Sequence, residues 1–351
     1  MKSISKLNGI YLYDLIRDYD NCLKAVKEAC KDHKHNPVVL NIKENAEEHA
    51  LKCKEILDTE SFHYTKFHND LRWERGKLRD IWYVDTSPDR IIQHAVFNIL
   101  TPILHGCVIS QSYAGVKNRG IHKGIQQISK DLQDYNGTRY CLKMDIKGYF
   151  KHINRNILFQ MVCDKISCKR TIEIMKRFIF EQPGEGLLIG LFSSQILGVF
   201  YLYRFGHYCK ENLRIKYFYI YMDDIVVLNN SKNKLHAYQK YIKKYLNDNL
   251  ELDLKTNYAY FPIEKRRLDF MGYVFDHKNR MIRKRTKINY KRSVNNFIRA
   301  IHNKQEITPY MVRSISTHEG NISKWCSNDG LITSCEHRIN EALVNIGYIK
   351  E

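Results

Sequence analysis

No stretch of this sequence reaches about 18 consecutive apolar residues, so none predicts a transmembrane helix. The opening MKSISKLNGIYLYDLIRDYD has no secretory apolar stretch. The ten cysteines form no paired C-x-x-C clusters, and Cys163 and Cys168 lack a matching His/Cys pair. That argues against a zinc site and for reduced thiols in a cytoplasmic protein. No internal repeat or low-complexity run is visible. Acidic charge is short as well: 38 Asp and Glu stand against 57 Lys and Arg, leaving +19 and a pI near 9.4.

That excess favours polyanionic partners, although a basic protein without such a partner fits the charge equally. Ribosomal and DNA-packaging proteins are basic too, but seldom carry 44% hydrophobic residues. The 351 residues exceed one small domain and can bury a sizeable core.

Residues 1–60 read as helical, with YDNCLKAVKEACKDH and ENAEEHALKCKEILDTE separated by a break at Pro37. LRWERGKLRDIWYVD (71–85) reads as a hairpin turning at Arg75-Gly76-Lys77, with Ile81, Tyr83 and Val84 on the return strand. A helix is predicted over 87–104, with Ser87 as N-cap, Pro88 in the first turn, and Ile92, Val96 and Leu100 in the core. A Gly- and Lys-containing loop from residue 112 turns helical after Ile121. RYCLKMDIKGYFKHI (139–153) is a strand ending near Met144, and 154–166 a helix. Residues 184–213 read as a Gly-rich loop and a long helix with Ile196, Phe200 and Tyr203 on one face. A Lys-rich helix (232–248), two strand-like segments, and a strand with basic helices from Lys278 complete the chain.

YFYIYMDDIVVLNN (217–230) sets Asp223 and Asp224 between two apolar strands. Such a pair is commonly only a turn. Pressed together, however, two carboxylates repel, and a divalent cation is a ready neutraliser. Asp145 ends another apolar strand. If the two strands share a sheet, three carboxylates meet at its edge. Two Mg²⁺ ions held there suit in-line attack on phosphorus, and the basic charge points to nucleic acid.

The chain resembles the reverse transcriptases across almost its whole length, through DRIIQHA (89–95), SYAGVKNRGIHKG (112–124), LKMDIKGYF (142–150), GLLIGLFSSQ (186–195), YMDD (221–224), LELDLKT (250–256) and FMGY (270–273) in the family's order. The resemblance implies an α+β right-hand fold: an N-terminal helical extension over 1–60, fingers and an antiparallel-sheet palm over 61–275, and a basic helical thumb over 276–351. It implies Asp145, Asp223 and Asp224 as ligands of two Mg²⁺, or Mn²⁺ in their place, and Lys255 as the acid that protonates the leaving pyrophosphate. Phe150 matches the aromatic that blocks a ribose 2′-hydroxyl; its alternative is a core Phe. Backbone around Ile146, Lys147, Gly148 and Tyr149 is implied to hold the triphosphate. Ile189, Gly190 and Gln195 line the same nucleotide. Lys77 and Arg79 close on it, or form a solvated hairpin tip. Arg119, His122, Tyr221 and Met222 are implied template or primer contacts, and Phe270, Met271, Gly272 and Tyr273 grip the primer end.

Within the family, the SYAGVKNRGIHKG segment, YMDD and IGLFSSQ are most similar to the enzymes of diversity-generating retroelements. Most relatives carry a polar residue at Ile189 and Pro at Gln195. The basic segment LRWERGKLRDIWYVD departs from that group in lacking its usual Pro-Lys before its arginine. The resemblance implies a minimal polymerase, without ribonuclease H or maturase domains, that copies a template RNA into cDNA from dNTPs and misincorporates opposite adenine. A small basic pentameric accessory protein is the implied partner. A stand-alone defence enzyme of the abortive-infection or retron sort, and a nucleic-acid-binding protein with an inactive polymerase fold, are the alternatives.

Overall fold

The structure, a computed structural model, describes residues 3–31, 36–74, 76–327 and 330–345. Arg75 of the expected turn, residues 32–35 at the end of the first expected helix, and residues 346–351 of the expected thumb lie outside the described residues. Among the described residues no helix is long and apolar enough to cross a membrane.

The fold is α+β. It opens with a short hairpin, β1 (Lys6–Leu7) and β2 (Ile10–Tyr11), then α1 (Leu12–Ile16), α2 (Tyr19–Ala29), α3 (Pro37–Glu44) and α4 (Ala46–Asp58). Pro37, a break by its residue type, instead starts α3. Its missing N–H costs nothing at that position, and Asn36 caps the helix through Val38 and Val39. The expected hairpin forms from β3 (Phe67–Glu74) and β4 (Lys77–Val84), but Lys77, expected in the turn, pairs with Glu74 in the ladder. Helix α5 (Ile91–Gly106) follows a helical turn over Thr86–Arg90. Ser87 is extended there (φ −124°, ψ 129°), as a residue before a helix should be. Its hydroxyl bonds Nδ1 of His49 at 2.9 Å, and the N-cap positions are Asp85 for the turn and Arg90 for α5, neither capping through its side chain. Ile92, Val96 and Leu100 are fully buried.

Next come α6 (Ile121–Asp131), β5 (Tyr140–Asp145), α7 (Arg155–Cys163) and α8 (Lys169–Phe180). The long helix expected over 184–213 is divided into α9 (Phe192–Tyr201), α10 (Tyr203–His207) and a looser turn to Asn212. Then follow β6 (Tyr217–Tyr221), β7 (Asp224–Asn229), α11 (Lys232–Leu250), β8 (Ala259–Pro262), β9 (Leu268–Phe270), β10 (Tyr273–Phe275), β11 (Arg280–Ile282), α12 (Lys284–His302), α13 (Pro309–Trp325) and α14 (Gly330–Asn345). The central sheet runs β6-β7-β5-β8, with β5 and β8 antiparallel.

Two compact units divide the chain. The first comprises Met1–Lys117, Met144–Ile225 and Ala237–Tyr258. In it α5 packs on α2 and α9, and Asn21 Nδ2 donates to the Ala95 carbonyl at 2.9 Å. The second comprises Asn118–Lys143, Val226–His236 and Ala259–Glu351. There β9, β10 and β11 form an antiparallel sheet, and α12, α13 and α14 close over Tyr290, Val294, Ile315, Ile322, Ile332 and Cys335. All ten cysteines are free thiols; eight are buried, while Cys163 of the first unit and Cys326 of the second are half-buried.

Candidate active site

Every residue of the carboxylate cluster lies in the first unit. The hairpin β6–β7 turns through Met222 and Asp223. Met222 takes a left-handed φ of +52°, which lets two residues reverse the chain. Strand β5 lies beside β7. The Ile146 N–H donates to the Asp223 carbonyl at 3.0 Å, holding the end of β5 to the turn. On the other side of residue 146, the Lys147 N–H donates to the Asp253 carbonyl at 2.8 Å and the Lys255 N–H to the Asp145 carbonyl at 2.9 Å. Two backbone brackets therefore bring Asp145, Asp223 and Lys255 to one place.

Electrostatics set the character of this place. Burial is the main cause that pushes the Asp223 carboxyl above the usual carboxylate range, with the charges of Asp145 and Asp224 adding to it and Lys255 opposing. The Lys255 ammonium forms an ion pair with Asp145, each side chain about one-third exposed. Asp224 is half-buried at the start of β7.

Among the described residues, no three His, Cys, Asp or Glu side chains converge closely enough to hold a metal ion by themselves. Mg²⁺ does not need such a cage. It binds through one or two carboxylates plus substrate phosphate oxygens. Hard carboxylate oxygens, one of them disfavoured in its charged form, fit that ion.

The loop over residues 182–193 is built from four hydrogen bonds. Leu187 N–H donates to the Phe150 carbonyl at 2.8 Å, and Trp82 N–H to the Ile189 carbonyl at 2.7 Å. Buried Gln182 accepts from Leu188 N–H at 2.8 Å, and buried Gln93 from Ser193 N–H at 3.1 Å. Gly186 and Gly190 are required. Their φ values are +65° and +114°, and a Cβ at either would lie 2.3 Å from a carbonyl oxygen, of Phe150 and Lys151 or of Trp82. Ile189 is half-buried and Gln195 exposed on α9. A cavity of about 790 Å³ opens beside the loop, with Trp82, Arg90, Gln93, Gly190 and Gln195 in its wall.

The other sequence-predicted residues divide clearly. Phe150 is half-buried and Tyr149 buried, its hydroxyl donating to the Gly198 carbonyl. The amides of Ile146 and Lys147, expected to face phosphate, are committed to the Asp223 and Asp253 carbonyls. The strand end is thus bracketed on both sides. Lys77 and Arg79 are exposed on β4, with Arg79 3.6 Å from Glu74. Tyr221 is half-buried. Arg119, half-buried, and His122 lie in the second unit. The His122 ring stacks on Trp325 at 4.2 Å and 11°. Phe270, Met271 and Tyr273, also there, are buried, so the β9–β10 turn offers mainly its backbone at Gly272.

Sequence reasoning gives no role to Gln93, Gln182 or Asp89. Asp89 is fully buried, and one of its oxygens accepts from the N–H and hydroxyl of Thr65 at 3.0 and 2.8 Å. That anchors the irregular segment leading into the β3–β4 hairpin. For Gln93, a polar residue inside the otherwise apolar helix α5 is the available signal.

Residues 72–275, more than half of the chain, match the family model described as reverse transcriptase (RNA-dependent DNA polymerase). Over 147 residues the chain is 26% identical to Protein YkfC of Escherichia coli K12, covering 39% of this chain and 38% of that protein. Among solved structures it is similar to apo telomerase from Candida tropicalis, with a TM-score of 0.46 and 13% identity over 81% of this chain and 62% of the other. Telomerase from Candida albicans, in complex with a TWJ fragment of telomeric RNA, is similar with a TM-score of 0.45 and 11% identity, over 79% and 58% of the two chains. The chain thus spans less than two thirds of each of these relatives.

Proposed function

This chain belongs to the reverse transcriptase family, and on that premise we propose that it is an RNA-directed DNA polymerase that copies an RNA template into cDNA with Asp145, Asp223 and Asp224 as its metal-binding centre. The observation that carries this reading is the bracketing of Asp145, Asp223 and Lys255 by backbone bonds at one strand end. Enzymes of the family normally use divalent ions. Mg²⁺ ions, each held by one or two of these aspartates with the substrate's phosphates, would activate the attacking 3′-hydroxyl and neutralise the leaving oxygens.

The chain's own residues do the rest. Lys255, already beside Asp145, is poised to give its proton to the pyrophosphate as it leaves. Phe150 occupies the space a ribose 2′-hydroxyl would need. The Ile189 loop forms the wall of the nucleotide site, with Gly190 letting the backbone lie against Trp82. Lys77 and Arg79 neutralise the triphosphate from the hairpin. Residues 61–275 act as fingers and palm, and 276–351 as thumb. Lys284, Arg285, Lys287, Lys291 and Arg292 of α12 give the thumb its charge for the template–primer.

We further assign the enzyme to the error-prone class of diversity-generating retroelements, working with a small basic accessory protein. Ile189 supports this reading. A polar side chain at that point could check the geometry of the nascent pair, and an aliphatic one cannot donate the bond. Each factor of ten in selectivity corresponds to about 1.4 kcal/mol, the scale of one hydrogen bond. The test is to sequence cDNA made by the wild type and by Ile189→Gln. Errors opposite adenine should fall severalfold in the variant. A wild type that copies adenine accurately would overturn the assignment and favour a stand-alone defence enzyme.

A further inference from the structure

We propose that Gly198 of α9 is the seat of the Phe150 ring and thereby a positioning residue for the incoming nucleotide's sugar. The inference rests on the reading of Phe150 as the sugar-facing residue. Gly198 is buried in the interior of a regular helix, and its φ is not left-handed. A glycine there is a poorer helix former than alanine, so its backbone gives no reason for it. What it provides is space. A Cβ built on Gly198 would lie 2.9 Å from Cε1 and 3.2 Å from Cζ of Phe150. The ring edge fills the place where any side chain would stand.

The backbone of Phe150 is fixed from two other directions. Its carbonyl accepts from Leu187 N–H at 2.8 Å, and Gly186 lies so close that a Cβ there would stand 2.3 Å from the same oxygen. Tyr149, the preceding residue, is tied by its hydroxyl to the carbonyl of Gly198 itself. Its ring meets Phe150 edge-on at 5.5 Å and 67°. A methyl added at Gly198 therefore cannot be absorbed by backbone movement. The free end of the Phe150 side chain must swing away from α9, toward its exposed side, where the sugar is read to lie. Because only a ring end has to move, the protein should keep its fold while the site narrows.

The experiment compares primer extension by the full chain carrying Gly198→Ala, Phe150→Leu, or both, with wild type, measuring kcat and KM for dNTPs and for ribonucleotides. Gly198→Ala should raise the dNTP KM roughly fivefold or more, the low end of what overpacking by one methyl costs, with kcat within about twofold. In the Phe150→Leu background, where the ring is gone, the same substitution should leave KM unchanged. An unchanged KM in the single variant, or an equal rise in both backgrounds, overturns the proposal. Should Gly198→Ala lose its melting transition, recovery of that transition in the double variant supports the seat, and no recovery overturns it. Phe150→Leu with a wild-type ratio of ribonucleotide to deoxyribonucleotide use would overturn the sugar-gate reading alone. The KM comparison still judges the Gly198 contact in that case.

Discussion

Lys255 pairs with Asp145, whereas Asp223, bonded through its carbonyl to the residue after Asp145, holds its proton more tightly than an ordinary aspartate. The two carboxylates are thus equivalent in chemistry and opposite in energetic standing. One has a counter-charge and the other is disfavoured by burial and by its neighbour.

Neutralising each should therefore have opposite effects on the metal-free protein. Asp223→Asn removes a disfavoured charge and should raise the melting temperature at neutral pH. Asp145→Asn leaves Lys255 without its partner and should lower stability by about 1 kcal/mol or less, since the pair is partly exposed. Both should reduce Mg²⁺-dependent DNA synthesis by roughly a thousandfold or more. Melting curves and primer extension on the same samples check this; equal shifts in the two variants would contradict it.

The stabilisation by Asp223→Asn should depend on pH. A carboxyl whose folded-state value is raised binds its proton more tightly in the folded protein than in the unfolded chain. Wild-type stability from this group is fully present below the ordinary value of 3.8 and is lost as pH rises through the raised value. The gap in melting temperature between variant and wild type should be widest near neutrality and close as pH falls toward that ordinary value. Melting curves across this range read the gap, and a constant gap would remove burial as its cause.

Gly190→Ala should cripple the enzyme while sparing most of the fold. Its φ of +114° is costly for alanine, and the new Cβ would lie 2.3 Å from the Trp82 carbonyl. The loop must pull away from β4, breaking the Trp82–Ile189 bond. A dNTP KM raised by roughly tenfold or more is expected, and wild-type kinetics would show that the strap does not shape the site.

Phe150→Ala should open room for a 2′-hydroxyl and raise ribonucleotide use relative to deoxyribonucleotides by about tenfold or more. The ratio of kcat/KM values for matched nucleotides decides it. An unchanged ratio would make Phe150 a packing residue.

RNA affinity should fall steeply with salt, because Lys and Arg contacts to phosphate release counterions. Between about 50 and 200 mM salt, a loss of roughly a hundredfold or more is expected. A flat dependence would mean that the excess of positive charge is not an RNA footprint.

The carboxylate cluster is legible in the sequence because its signals are local. An apolar strand ending in Asp145, and an Asp pair between two β-rich runs, announce themselves by residue type and period. The β3–β4 hairpin is legible for the same reason, since Gly76 marks its turn, although its register is not, because Lys77 pairs with Glu74 in the ladder. What escapes prediction depends on partners distant in sequence. The commitment of the Lys147 amide to Asp253, the His122–Trp325 stack and the approach of Phe150 to Gly198 each join segments that no local pattern connects. Pro37 misleads for a different reason: proline stops a helix from within but starts one from its first position. The division of the long helix after Tyr201 also has no proline to mark it.

The distribution of thiols has a practical consequence. Since Cys163 and Cys326 are the two cysteines that are not buried, one in each compact unit, a maleimide donor–acceptor dye pair would attach there without engineered mutations. Single-molecule energy transfer between them would then report the separation of the two units through each round of nucleotide addition, in the native sequence.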